Sequence, residues 1–312
     1  MRDTFIARLL QHALNDTRIV LITGDLGFKV FDEFRAKRPG QFLNAGVAEQ
    51  NMTAIAAGMA LEGRIVFTYS IANFSTLRCL EQIRNDACYH GAAVKVVSIG
   101  GGFSYGSLGI SHHATEDLAI LRSLPDITVF SPGDLWEAAE ATSACIATPG
   151  TCYLRLDKSA GKPSRRDSET FAPGRIRTVR EGSDACVVVT GGILEEAQDA
   201  ADMLAAEGIS VRILSAHTIR PLDAKVVVEA ARSCAAMFTL EEHTLHGGLG
   251  GAVAEVLLDH GVMPRRFRRL GLAGTFSSIV GSQVYLRQRY GLDARSVAEA
   301  VRSTLARPAC AV

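Results

Sequence analysis

Two hydrophobic rhythms alternate along this chain. Short, nearly unbroken apolar runs at 18–22, 64–69, 94–99, 127–130 and 151–156 read as strands buried on both faces. Between them, segments at 5–14, 49–61, 74–90, 114–124 and 131–146 repeat apolar residues every three or four positions, the period of an amphipathic helix. On 74–90, Leu77, Leu80, Ile83 and Ala87 should face the core, while Phe74 and Arg78, four apart, share a face near its start. Strand and helix alternating in this way predict a mostly parallel sheet covered by helices on both sides.

The rhythm stops at 158–180, where two prolines and many basic residues interrupt it. It then resumes, with strands at 185–190, 211–214, 236–240 and 266–272 and helices at 195–206, 224–232, 252–259 and 296–306. The chain therefore reads as α/β, with two doubly wound, mostly parallel-sheet domains at 1–160 and 178–312 and an exposed linker at 161–177. A length of 312 residues is comfortable for two domains, and 47% hydrophobic residues suffice for two cores.

Charge narrows the function classes. The 33 Lys and Arg residues balance 33 Asp and Glu, so nothing in the charge suggests a nucleic-acid footprint. Seven cysteines (Cys79, Cys88, Cys145, Cys152, Cys186, Cys234 and Cys310) lie mostly within apolar runs and form no C-x-x-C pair. They read as reduced, packed thiols. Without a signal-peptide core or an apolar run of ~18 residues, a soluble cytoplasmic protein is expected.

Candidate chemistry gathers in the loops after the strands, where an open parallel sheet binds ligand. Thr23-Gly24-Asp25-Leu26-Gly27 closes the first strand and reads equally as a plain turn or a ligand loop. Asn44-Ala45-Gly46-Val47-Ala48-Glu49-Gln50-Asn51-Met52 runs into an Ala-rich helix with one acid, Glu49, in its first turn. The helix dipole alone favours a carboxylate there; a cofactor-binding acid is the other reading. Glycines and hydroxyls crowd the stretch from Gly100 to His113, which ends in His112 and His113, side chains that titrate near neutral pH. Further on, Glu241-Glu242-His243-Thr244-Leu245-His246-Gly247-Gly248 carries two more histidines, which read as surface or capping groups or as substrate contacts.

These residues resemble a known family. The nonapeptide from Asn44 to Met52 is similar to the pyrimidine-domain signature of transketolase-like thiamine diphosphate enzymes, and Asp25-Leu26 resembles their earlier Asp-Leu pair. Phe74 and Arg78, followed by Glu81-Gln82-Ile83-Arg84-Asn85, resemble the segment that packs on the cofactor's aminopyrimidine. Ser111-His112-His113-Ala114-Thr115-Glu116-Asp117 is similar to the family's Thr-His-Gln segment, and 185–300 resembles its C-terminal domain.

The resemblance implies the C-terminal subunit of a split transketolase. It assigns Glu49 and His112 to catalysis, and Asp25, Leu26, Glu49, Phe74 and Arg78 to thiamine diphosphate. His113, beside His112, is the second candidate for proton transfer, one of the two being expected to face the substrate and His112 favoured by the resemblance. Ser104 and Tyr105, as hydroxyl groups of the same loop, and His246 are the candidate substrate contacts on this chain. Glu49 would hydrogen-bond the pyrimidine ring nitrogen, a role that suits a desolvated carboxyl. Phe74 would give the ring a flat apolar face. The family's Gly-Asp-Gly metal motif is missing, so no metal site is expected on this chain. Mg2+ and diphosphate would be held by a separate N-terminal subunit, in a heterotetramer of two such pairs. Ketose-using members carry an Asp and an upstream His where this chain has Leu108 and Gly100, which points to a different donor. Two other readings remain: a pyruvate-using subunit, akin to deoxyxylulose-phosphate synthase or the β chain of a 2-oxoacid dehydrogenase, and a non-catalytic regulatory subunit.

Overall fold

A computed structural model describes residues 1–27, 29–167 and 169–306; Cys310 and the rest of the C-terminal end after 306 lie outside the described residues. The first sheet contains β1 (Ile19–Thr23), β2 (Phe42–Asn44), β3 (Ile65–Ile71), β4 (Val94–Ile99), β5 (Ile127–Phe130) and β6 (Thr151–Leu156). All pair in parallel, with β3 between β1 and β4. Every residue of β1 is buried. Its side chains alternate between two cores: Ile19 and Leu21 pack with Phe5 and Leu9 of the helix Arg2–Ala13, and Val20 and Ile22 pack with Met52 and Ala56 of the helix Glu49–Leu61. Period-two alternation in a strand covered on both sides produces the unbroken apolar run seen in the sequence.

The second sheet contains β7 (Arg177–Arg180), β8 (Ala185–Thr190), β9 (Val211–Ser215), β11 (Ala236–Thr244) and β12 (Phe267–Leu272), with β7 antiparallel at one edge. The remaining strand, β10 (Thr218–Arg220), follows β9 in the chain yet pairs antiparallel with β5 at the edge of the first sheet. The two halves are therefore interlocked.

Three expectations need correction. The stretch 74–90 is not one helix: a single turn, Ala72–Ser75, is followed by short helical turns and a π-helical segment, Ile83–Cys88. Ile83 and Ala87 are buried as expected, but Leu77 lies on the surface because the break turns it outward. Ala114–Leu124 shrinks to a helix over Asp117–Arg122, since Ala114 bonds back to Gly102 instead of starting a helix. At the end of the supposedly exposed stretch 158–180, Arg177 is buried, with its guanidinium against Asp134 at 3.0 Å and Glu137 at 2.9 Å. Those two carboxylates compensate its charge, so the chain joins the sheet there.

Candidate active site

The carboxyl ends of β1, β2, β3 and β4 converge on one edge of the first sheet, and Glu49 stands among them. Gly46 turns the chain with φ +74°, and Ala48 caps the helix Glu49–Leu61 without a side-chain bond. Asn44 bridges the neighbouring loops: its Oδ1 accepts from the Asp25 and Gly46 amides, both at 3.0 Å, and its Nδ2 donates to Asp25 Oδ1 at 2.9 Å. Asp25 takes φ +55°, a conformation Asp tolerates better than most residues. Thr23, Asp25, Leu26 and Asn44 help to line a small cavity of about 80 Å³.

Glu49 is 3% exposed, and its Oε2 accepts from Arg78 Nη1 at 2.8 Å. Arg78 also lies over the Phe74 ring, 4.4 Å from its centroid. Their contact survives the broken helix because Arg78 sits on the turn Leu77–Cys79 directly after Ala72–Ser75. The His112 ring meets Phe74 edge-on at 5.1 Å and Tyr105 at 6.1 Å. Asn73 ties these segments together by donating to His113 O at 2.8 Å and Ser111 O at 3.3 Å. Glu49, Arg78, Phe74 and His112 thus form one continuous series. Partial burial, and then the nearby His113, lower the pKa of His112. At neutral pH its imidazole is therefore an acceptor, the form needed to take a proton.

The two histidines part company. His113 is buried, with Nε2 at 3.1 Å from Gly106 O and its ring edge-on to Phe103. It packs the loop from within, whereas His112 faces the Phe74 side. Tyr105 carries the Lys158 ammonium over its ring at 3.7 Å, and Ser104 Oγ donates to Gly101 O at 2.8 Å. His246 is exposed on the turn after β11, and no described bond or ring contact links it to Glu49, Phe74 or His112. His243 is fully buried, and burial lowers its pKa to about 4. Its Nε2 accepts from the Ala119 amide, so Nδ1 carries the proton and donates to Thr244 O at 2.9 Å. Among the described residues, no group of His, Cys, Asp and Glu is arranged to hold a metal ion.

Sequence reasoning missed a buried charged network behind the loop. Arg155 Nε donates to Asp117 Oδ2 at 2.9 Å, Tyr153 donates to the same oxygen at 2.6 Å, and Arg287 Nε donates to Glu242 Oε2 at 2.5 Å. Arg155 and Asp117 are essentially solvent-free, and burial raises the pKa of neighbouring Asp157 to about 6. The available signal was Arg155 itself, a charge inside the otherwise apolar strand run 151–156.

Comparisons with known proteins cover most of the chain. Residues 1–163 match the transketolase pyrimidine binding domain, and residues 174–297 match the transketolase C-terminal domain. The chain is 34% identical to the 6-deoxy-6-sulfo-D-fructose transketolase subunit SqwH of Clostridium sp. (strain MSTE9), covering 98% of this chain and 95% of that protein. It is also 34% identical to an apulose-4-phosphate transketolase subunit of Actinobacillus succinogenes, covering 96% of each. Among solved structures, a split gene transketolase described as an inactive β4 tetramer superimposes with a TM-score of 0.89, at 34% identity over 97% of both chains.

Proposed function

The chain belongs to the transketolase family of thiamine-diphosphate-dependent transferases, and from that premise we propose that it works as the C-terminal subunit of a two-chain transketolase. In this reading it transfers a two-carbon ketol unit from a ketose-type donor to an aldehyde, inside the cytoplasm. A separate subunit supplies the Mg2+ and diphosphate site, and two such pairs form a heterotetramer. The similar solved chain, described as inactive in its β4 form, supports a need for that partner.

One observation carries the reading: the uninterrupted series from buried Glu49 through Arg78 and Phe74 to His112 at the carboxyl edge of the sheet. The donor set suits thiamine diphosphate. Glu49 is a desolvated carboxyl whose Oε1 has no described hydrogen bond, Phe74 offers a flat apolar face, and Asp25 and Leu26 line the adjoining loop. When bound, the cofactor supplies the nucleophilic carbon that accepts the ketol unit. Glu49 would hydrogen-bond the pyrimidine ring nitrogen, and Arg78 compensates its carboxylate from the exposed side. His112, neutral at physiological pH, exchanges protons with substrate oxygens. Tyr105 and Ser104 meet the donor. A Cβ at Gly100 would collide with the Tyr105 ring, so Tyr105 fills the room that an upstream histidine would need. Together with exposed Leu108, this favours a donor whose hydroxyls differ from those of ordinary pentose phosphates.

The test is reconstitution. The purified chain, combined with a partner that carries the metal site, thiamine diphosphate and Mg2+, should transfer ketol units between sugars and should be inactive without the partner. Decarboxylation of pyruvate without ketol transfer, or full activity of the isolated chain, refutes the proposal.

A further inference from the structure

We infer that Glu242, in the second domain, is a positioning residue that sets the pose of the loop carrying His112. This rests on the proposed role of His112. The loop is closed at its base by reciprocal bonds, Gly102 N to Ala114 O at 2.8 Å and Ala114 N to Gly102 O at 3.0 Å. Immediately inside that closure, the Phe103 amide donates to Glu242 Oε1 in a short bond. Gly102, at φ +58°, is what allows this approach, because a Cβ there would lie 2.7 Å from Glu242 Cγ. Gly101 likewise makes room for Arg155, whose Nη2 donates to Ala114 O at 2.9 Å and to Glu242 O at 3.2 Å. The glycine-dense stretch is therefore a tightly seated loop rather than a loose one.

Glu242 is itself held. Gln283 Nε2 donates to its two oxygens at 3.0 and 3.1 Å, and Arg287 Nε donates at 2.5 Å, while the side chain is almost solvent-free. Arg287 is anchored in turn by Glu195 at 2.8 Å. The second domain continues the support: Tyr290 stacks on Phe103 at 5.3 Å, and the Thr244 amide donates to Thr115 O at 2.8 Å. No described bond connects Glu242 to His112 directly. Its effect passes through the Phe103 amide to the loop backbone that leads to His112, and a displacement of about 1 Å in such a pose is costly to proton transfer.

Glu242→Asp separates this role from charge balance, because it keeps the negative charge beside Arg287, which Glu195 also holds, while a side chain one methylene shorter cannot keep its bonds to the Phe103 amide, Gln283 and Arg287 together. In the reconstituted two-chain enzyme, turnover should fall by about tenfold or more with little change in donor KM. Amide exchange across 102–113 should accelerate, with the melting temperature close to that of the parent. Glu242→Gln, which keeps the length but removes the charge, should lose less turnover than Glu242→Asp. Wild-type turnover or unchanged exchange in Glu242→Asp overturns the inference. His112→Ala is made in parallel: if it retains full turnover, the role of His112 fails and the inference with it, whereas a large loss in His112→Ala with an unaffected Glu242→Asp overturns the inference alone.

Discussion

Replacing Glu49 by Gln isolates the chemical role of its carboxyl from its contribution to folding. The change is nearly isosteric and removes one charge. Among the described residues that charge meets one cation, Arg78, whose side chain is 46% exposed and returns readily to water. A pair with one partner so solvated contributes about 1 kcal/mol or less. For domains of this size that corresponds to a shift in melting temperature of no more than about 4 °C. Loss of a positioned acid or base, by contrast, lowers rates by about 10²–10⁴, or about 2.7–5.4 kcal/mol of barrier. The two magnitudes do not overlap, so calorimetry and a ketol-transfer assay on the reconstituted complex at saturating cofactor tell them apart. Full turnover in Glu49→Gln would refute the catalytic reading. A drop in melting temperature beyond about 10 °C would show that the carboxylate serves mainly to hold the fold.

Other outcomes follow from the buried charges. Asp117→Ala removes the carboxylate bonded to the buried Arg155 guanidinium, leaving Asp157 as an anionic neighbour, and should destabilise the chain by about 3 kcal/mol; pairing it with Arg155→Met should recover most of that loss, and a loss below about 1 kcal/mol in the single variant by urea titration would contradict the network. His217, stacked 4.1 Å from Phe171, has its pKa lowered to about 3, chiefly by burial. Its unfolded form binds a proton below about pH 6.5 while the folded form does not, so stability is complete above that pH and declines as pH falls toward 3. Between pH 7 and pH 5 the parent should lose about 2 kcal/mol relative to His217→Asn, and parallel pH slopes would reject this assignment.

Glu241 adds the opposite dependence. Burial raises its pKa to about 7, despite amide bonds from Leu249 and Gly250, so the folded state retains a proton that the unfolded state releases. Its contribution is present at low pH and is lost as pH rises from the ordinary carboxylate range through about 7. Glu241→Gln should therefore flatten the alkaline side of the stability profile, as read by thermal melts between pH 5 and pH 8.

Local order was written into the chain. The apolar runs 94–99, 127–130, 151–156 and 185–190 coincide with β4, β5, β6 and β8, because strands covered on both faces must be apolar throughout. The signature around Glu49 also needed no coordinates, since its small residues, its acid and its helix start are local properties. Periodicity could not reveal the break after Ser75, where tertiary contacts override the spacing of Leu77, nor the burial of Arg177, which depends on carboxylates from a distant helix. Nor could it place β10 in the first sheet, because strand pairing is a choice among edges far apart in sequence. The same holds for the histidines: two adjacent residues of one type look equivalent in a sequence, and only the folded loop turns His112 toward Phe74 and buries His113 against Phe103. The sequence alone determined most of the buried strands and the local signature around Glu49; the tertiary structure decided where helices break, which edge strands pair and which side chains meet, because burial and pairing depend on partners that no local pattern contains.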